Sequence, residues 1–255
     1  MKGDNRRQQI LEFAQKKEIV MINELFDAIS ASVATIRRDI NTLAAEGKIH
    51  KTRGKIIYVE PDRAPVYSFR DNINYDEKKL IGRKAAEMVH ENDTICIDAG
   101  TTTLALAENL KDKKSLSVIT NSVPVATILN DTDVHVFMPG GMLEDMCLAD
   151  ADTVDYLARH HVDKAFIGAS GVSGCRGLTV TSPLQYSVKK QIIKSADEVY
   201  ALIDSTKFHI SGVNVFSEFS ELTGIITARP IEDPKLIQVL EENNVKIIYV
   251  NDDLE

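Results

Sequence analysis

The chain has 255 residues, 44% of them apolar and 27% charged, enough to bury a core in one large or two unequal domains. No apolar run approaches the ~20 residues that span a bilayer, and the charged start, Met1 to Gln9, lacks the apolar stretch of a signal peptide, so a cytoplasmic protein with no membrane partner is expected. The three cysteines, Cys96, Cys147 and Cys175, are odd in number, far apart and at no zinc-like spacing from the six histidines; reduced thiols and no metal or cofactor are expected.

The net charge of −8 divides unevenly. Residues 1–56 hold 11 Lys+Arg against 7 Asp+Glu, a net of +4, and the remainder holds 19 against 31, a net of −12. A basic head on an acidic body fits a nucleic-acid-binding domain carried by a body that repels nucleic acid.

Three short helical patterns open the chain. Ile10, Phe13 and Ala14 line one face of a helix from about Asp4 to Lys17. Ile22, Leu25, Phe26 and Ile29 make the i, i+3, i+4, i+7 stripe of a second. Ser32 then stands as N-cap of a third, with Val33, Ile36, Ile40, Leu43 and Ala44 on its apolar face and Gly47 as its stop. The link Ser30-Ala31 is as short as a helix-turn-helix needs. The third helix turns Ser32, Ala34, Thr35, Arg37, Arg38 and Asn41 outward: small residues that let its start approach base edges, and two arginines that reach phosphate or guanine. Residues 49–59, turning near Gly54, read as a two-stranded wing that carries Lys51, Arg53 and Lys55. A domain over 1–58 is expected to bind double-stranded DNA. Residues 59–75, with two prolines in Glu60-Pro-Asp-Arg-Ala-Pro65, read as a linker.

The second domain, 76–255, opens with a helix and then alternates β-rich runs at 94–98, 116–120, 134–138, 164–169, 198–204, 223–227 and 246–250 with helical stretches. That alternation predicts an α/β domain with a mostly parallel sheet, whose ligands bind at the carboxyl ends of the strands. Those ends are rich in hydroxyls and glycines. The first runs from Asp98 through Gly100, Thr101, Thr102 and Thr103 into a helix, an arrangement of amides and hydroxyls suited to a phosphate. Thr120, Asn121 and Ser122 end the second, Gly140 and Gly141 the third, Gly168 to Gly171 with Ser170 the fourth, and Asp204 to Lys207 the fifth. Lys189 and Lys207 supply cations for a phosphate.

Thr35-Ile-Arg-Arg-Asp-Ile-Asn-Thr-Leu-Ala-Ala-Glu-Gly47 resembles the recognition helix of the DeoR-type repressors of sugar metabolism, and Asp98-Ala-Gly-Thr-Thr-Thr, Thr120-Asn-Ser, Asp163-Lys-Ala-Phe-Ile-Gly-Ala-Ser-Gly and Asp204-Ser-Thr-Lys-Phe resemble their effector domain. The resemblance covers nearly the whole chain. It implies a winged helix-turn-helix joined to a domain similar to sugar-phosphate isomerases of the ribose-5-phosphate kind. It further implies that Asp98 and Asn121 hold sugar hydroxyls, that Gly100 to Thr103 hold the phosphate, and that Gly140, Gly141, Lys189 and Lys207 line the rest. Such a protein represses a carbohydrate-catabolism operon as a dimer or tetramer and leaves its operator when a sugar phosphate binds. Three departures stand out: Thr52-Arg-Gly-Lys55 replaces the family's His-Gly-Gly-Ala wing turn, Ser170 replaces an Asp, and Asp150 replaces a Gly.

An active isomerase with an attached DNA-binding domain is the rival reading. Moving a proton between adjacent carbons needs a carboxylate base. The resemblance puts the isomerases' acids in the turn matching Gly168–Gly171 and near Lys189, where this chain has Ala169, Ser170 and Val188; only Asp98 or Asp204 remains as a base. A dinucleotide site is disfavoured, since no G-x-G-x-x-G follows a strand.

Overall fold

The computed structural model describes residues 3–17, 19–45, 48–52, 54–58, 67–174 and 176–250. The chain splits into two compact units, Met1–Ile73 and Asn74–Glu255.

The first unit runs α1 (Gly3–Lys17), β1 (Ile19–Met21), α2 (Ile22–Ala28), α3 (Val33–Ala45), β2 (Ile49–Thr52), β3 (Lys55–Tyr58) and α4 (Tyr67–Asn72). Ser32 starts α3 as predicted: its Oγ accepts from Thr35 N at 3.3 Å and its carbonyl from Ile36 N at 3.0 Å. The α3 stripe of Ile36, Ile40 and Leu43 packs with Ile10 and Ala14 of α1 and Leu25 of α2 in one core. Val33, expected on that stripe, is 44% exposed. It is in phase with Ile40 but sits in the first turn, past the edge of the core. The wing forms around Gly54, whose φ of +74° suits glycine, and Gly54 O accepts from Ile22 N at 2.8 Å, tying the wing turn to the start of α2. β1, which the sequence did not suggest, pairs with β3 and completes a sheet of order β1-β3-β2. Gly47, Arg53 and the prolines of the expected linker lie outside the described residues; α4 falls within that 59–75 stretch.

The second unit runs α5 (Tyr75–Ala86), β4 (Thr94–Ile97), α6 (Thr101–Glu108), β5 (Ser117–Thr120), α7 (Val123–Leu129), β6 (His135–Phe137), a hairpin of β7 (Leu143–Glu144) and β8 (Cys147–Leu148), α8 (Ala151–Leu157), β9 (Val162–Ile167), β10 (Gly171–Ser173), β11 (Gly177–Val180), α9 (Pro183–Lys194), β12 (Ala196–Leu202), β13 (Asn214–Glu218), β14 (Gly224–Thr227), α10 (Pro234–Glu242) and β15 (Lys246–Tyr249). The seven strands read from the sequence form a single parallel sheet of order β15-β14-β12-β9-β4-β5-β6. Successive residues of a strand face opposite sides, so the apolar runs supply two cores at once. Ile95, Ile97, Phe166, Tyr200 and Leu202 meet α5, α6 and α7 on one face, while Cys96, Ala165, Ile167, Val199 and Ala201 meet α8, α9 and α10 on the other. A smaller antiparallel sheet, β10-β11-β13, adds Val172, Leu178 and Phe216 to the second core. No helix among the described residues is long and apolar enough to cross a membrane.

The α5–α6 packing is close enough to be tested at one atom. A Cβ on Gly82 would lie 2.4 Å from the carbonyl carbon of Ala105 and 2.7 Å from Leu106 N, both backbone. Gly82→Ala gains about 1 kcal/mol of helix propensity, but the overpacking costs about 1–3 kcal/mol and backbone cannot swing aside. The expected outcome is a lower melting temperature, where a free helix would show a higher one.

The sheet order also places a crevice. From β4 the chain steps outward to β5 and β6, then returns to β9 on the opposite side of β4. The connections leaving β4 and β9 therefore diverge at their carboxyl ends, the switch point at which open α/β sheets hold ligands.

Candidate functional site

In the first unit, α3 presents Ser32, Ala34, Arg37, Arg38 and Asn41 to solvent, with Thr35 half-buried. What sets this face is Asp39, buried at 3% exposure between the two outward residues Arg38 and Asn41 and the core. Its carboxylate pairs with Arg6 Nε and lies 4.0 Å from an Arg7 guanidinium nitrogen, both from α1. With Asp39 locked inward, helical geometry turns Arg37 and Arg38 outward. The wing is joined to the same face: Lys51 Nζ donates to Asn41 Oδ1 at 2.9 Å, leaving the Asn41 amide N–H groups unspent by that bond. Lys51 is exposed and Lys55 half-buried. These side chains form one basic and amide-bearing surface.

In the second unit, the switch point is occupied by a buried ion pair. Asp98, one residue past β4, and Lys189, from the middle of α9, are 2% and 4% exposed at their side chains. Asp98 Oδ2 accepts from Lys189 Nζ and from Gly168 N at 2.9 Å; Lys189 Nζ also donates to Gly168 O at 3.0 Å and stands 5.3 Å from the Phe216 ring centre. Two of the three ammonium protons are thus committed to the protein. Gly168 is the residue after β9, so the pair bridges the very strands whose connections diverge.

Around this pair the predicted residues fall into two groups. In the first, polar atoms are taken up by backbone. Thr103 Oγ1 lies 2.6 Å from Asp98 O and 2.9 Å from Gly100 O, so its single proton serves the β4–α6 turn. Thr120 Oγ1 donates to Ile97 O at 2.6 Å, and Ser122 caps α7 through Val125 N at 3.4 Å. Gly100, Thr101 and Thr102 are buried at the start of α6. Gly141 adopts φ +136°, and a Cβ there would meet Thr153 Oγ1 at 2.3 Å; Gly140 is open. Asp150 caps α8 at Thr153 N, 3.0 Å, and accepts from Met142 N at 2.8 Å, so it clamps the Gly140–Gly141 loop to that helix. The Thr153 N–H, the largest of several bonds, holds the Asp150 carboxyl below its ordinary range.

The second group carries unused bonding capacity. Asn121 is 2% exposed; its Nδ2 donates to Leu148 O at 3.0 Å, while its Oδ1 is buried with no partner. Asp204 is 1% exposed; its Oδ1 accepts from Asn74 Nδ2 at 3.1 Å, from Thr206 N at 3.2 Å and from Thr206 Oγ1, while its Oδ2 is buried without a partner. Thr227, which the sequence did not single out, is fully buried and has an unpartnered Oγ1 as well. These three atoms sit at the carboxyl ends of β5, β12 and β14. Buried polar atoms are satisfied in the great majority of cases, so three orphans on one edge of one sheet stand out as unused bonding capacity among the described residues. Ser170 and Lys207 are half-buried; Ser170 N donates to Thr179 O at 2.8 Å, and Lys207 lies in the 3-10 turn Ser205–His209 that Asp204 caps.

Sequence reasoning missed Asn74 and Glu77, which grip that turn from the first turn of α5. Only the topology brings them 130 and 128 residues across the chain. The two described cysteines are held as thiols: burial first, then Asp98, pushes the Cys147 thiol up to about 12 against the opposing pull of Lys189, and burial raises Cys96 further still.

The pattern of the DeoR-like helix-turn-helix domain matches residues 6–62, and that of the DeoR C terminal sensor domain matches residues 73–229. The chain is similar to the HTH-type transcriptional repressor GlcR of Bacillus subtilis, 30% identical over 99% of this chain and 98% of that protein. It is likewise similar to the glycerol-3-phosphate regulon repressor of Escherichia coli, 27% identical over 97% of this chain and 99% of the relative. A solved ribose-5-phosphate isomerase in complex with phospho-erythronic acid aligns with 52% of this chain and 54% of its own, at 18% identity and a TM-score of 0.39.

Proposed function

The chain belongs to the DeoR family of transcriptional regulators, and from that premise we propose that it represses a carbohydrate-catabolism operon and leaves its operator when a phosphorylated sugar binds the second unit. α3 enters the major groove with Arg37, Arg38 and the small residues of its first turn toward the bases, and Lys51 and Lys55 of the wing steady it on phosphates. The protein acts in the cytoplasm as a homo-oligomer, which gives two recognition helices to a two-fold operator.

The observation that carries the sensor half is the set of orphan atoms of Asn121, Asp204 and Thr227 at the carboxyl ends of β5, β12 and β14, on the same edge of the sheet as the Asp98–Lys189 pair. The two orphan oxygens of Asn121 and Asp204 are acceptors, so the ligand brings hydroxyls to them. The backbone amides at the start of α6, beside Thr101 and Thr102, take its phosphate. A relative named for the glycerol-3-phosphate regulon supports a phosphorylated polyol as the ligand class.

A sensor fits these residues better than an isomerase. The Asp98 carboxylate is spent on an ammonium and an amide, and the turn beyond β9 offers Ala169 and Ser170 in place of a base. We expect no exchange of solvent deuterium into any sugar phosphate that binds.

Thr227→Val tests the pocket. The change keeps the shape and removes a buried hydroxyl that bonds nothing in the protein, so stability without ligand should hold or rise. Loss of a hydrogen bond to the ligand should weaken its binding by about 0.5–1.5 kcal/mol, roughly two- to tenfold in Kd by calorimetry. Undiminished affinity would take Thr227 out of the site.

A further inference from the structure

Ala34, Arg37, Arg38 and Asn41 are spaced i, i+3, i+4, i+7 and so share one stripe of α3, away from the buried Ile36, Ile40 and Leu43. Within that stripe Asn41 is tied to the wing, its Oδ1 accepting from Lys51 Nζ at 2.9 Å. The strand sets up this bond. Ile49, two residues before Lys51 in β2, is 1% exposed in the core with Ile36 and Ile40, and Ile56, the antiparallel partner of Lys51 in β3, is fully buried there. Strand side chains alternate between faces and paired residues share one, so Lys51 leaves the wing on the face that packs toward α3. An ammonium donates and accepts nothing, whereas an amide has an acceptor oxygen and a nitrogen with two donors. Facing Lys51, the Asn41 amide therefore has one favoured orientation, because turning it over would set its N–H groups against a cation. Oδ1 is held toward the wing, and the N–H groups are what the helix face presents.

We propose that Asn41, oriented by Lys51, reads guanine in the major groove and discriminates against adenine. The proposal rests on α3 being the recognition helix. Asparagine ordinarily recognises adenine with both ends of its amide, donating to N7 and accepting from the N6 amino group. That pairing needs Oδ1 beside the base, and the Lys51 ammonium bonded to Oδ1 would then face the amino donors of adenine. Guanine offers acceptors at both N7 and O6, which suits amide N–H groups with a cation behind them. Binding in the groove displaces water from the pair, and a charge-assisted bond strengthens as the local dielectric falls. Asn41 touches the base. Lys51 is a positioning residue, whose two remaining N–H donors serve a phosphate at the same time.

The experiment enriches duplexes from a random pool on the full-length chain, then varies the best duplex to each base at every position and measures affinity by fluorescence anisotropy. One base pair should prefer guanine over adenine by about two- to tenfold, the range of one hydrogen bond. Asn41→Ala should erase that preference and leave the others in place. Lys51→Met should let adenine bind at that position as well as guanine or better, because the amide is then able to turn over. Lys51→Arg, which also only donates, should keep the guanine preference. Both positions are exposed, and the ratio of two affinities within one variant cancels any loss of folded protein. A lysine acting on phosphate alone would leave the guanine-to-adenine ratio untouched in Lys51→Met, while lowering affinity for every duplex and the slope of log K against log salt by about 0.9. That result overturns the proposal, as does Asn41→Ala with every base preference intact, and both leave α3 as the recognition helix. A wild type that enriches no sequence overturns the recognition-helix reading, and the proposal with it.

Discussion

Replacing Lys189 by methionine is expected to destabilise the second unit by about 3–5 kcal/mol, the usual cost of breaking a buried ion pair from one side. The carboxylate of Asp98 would remain, at 2% side-chain exposure, with the Gly168 N–H still donating to it. Set against a typical folding stability of about 5–15 kcal/mol, the loss leaves the unit marginal at best. Asp98→Asn in the same chain should recover most of it, because a neutral pair of similar volume buries no charge. The double variant should still fail to bind a sugar phosphate, since the polar floor of the pocket is gone. With no tryptophan in the chain, urea unfolding is followed by circular dichroism. Additive losses from the two single changes, with no recovery in the double, would contradict the account of the pair as one unit.

Arg37→Ala and Arg38→Ala are expected to weaken operator binding by roughly 10- to 100-fold each, the equivalent of about 1.5–3 kcal/mol for a hydrogen bond to a charged group. Both side chains are exposed, so melting temperature should stay put and the effect reads on DNA alone. Salt separates their roles. An arginine on phosphate lowers the slope of log K against log salt by about 0.9. An arginine bidentate to guanine relaxes the preference at one base pair by about 1–3 kcal/mol. If neither single variant changes affinity, α3 is not the recognition helix. The inward lock of Asp39 by Arg6 and Arg7 gives a control, because removing it should disturb the fold of the first unit as well as its binding.

The parallel sheet was legible in the sequence because its strands are covered on both faces. Apolar runs such as Ile95 to Ile97 and Ala165 to Ile167 then need no alternation to be recognised. β1, β7, β8 and β10 are two or three residues long and exist through their pairing, so local pattern could not reveal them. The β7–β8 turn takes its left-handed backbone from Asp145 and Met146, at φ +46° and +65°, where no glycine announces it. The strand ends were legible as places, less so as roles. Thr103 and Thr120 look like ligand hydroxyls in the sequence, yet both spend their protons on backbone carbonyls. Lys189 reads as a free cation until its partner Asp98, 91 residues away, is known. The orphan acceptors and the Asn74–Asp204 bond depend on burial and on contacts between distant segments. No spacing encodes them.

In the proposed mechanism a sugar phosphate changes the protein's grip on DNA, and fluorescence anisotropy of a labelled operator against the full-length chain measures that directly. One phosphorylated sugar should lower the affinity by about 5- to 150-fold, the range of a typical coupling, and its unphosphorylated counterpart should leave it unchanged. Equal affinity for the operator in the presence and absence of every sugar phosphate, at concentrations that calorimetry shows to saturate the pocket, would contradict it.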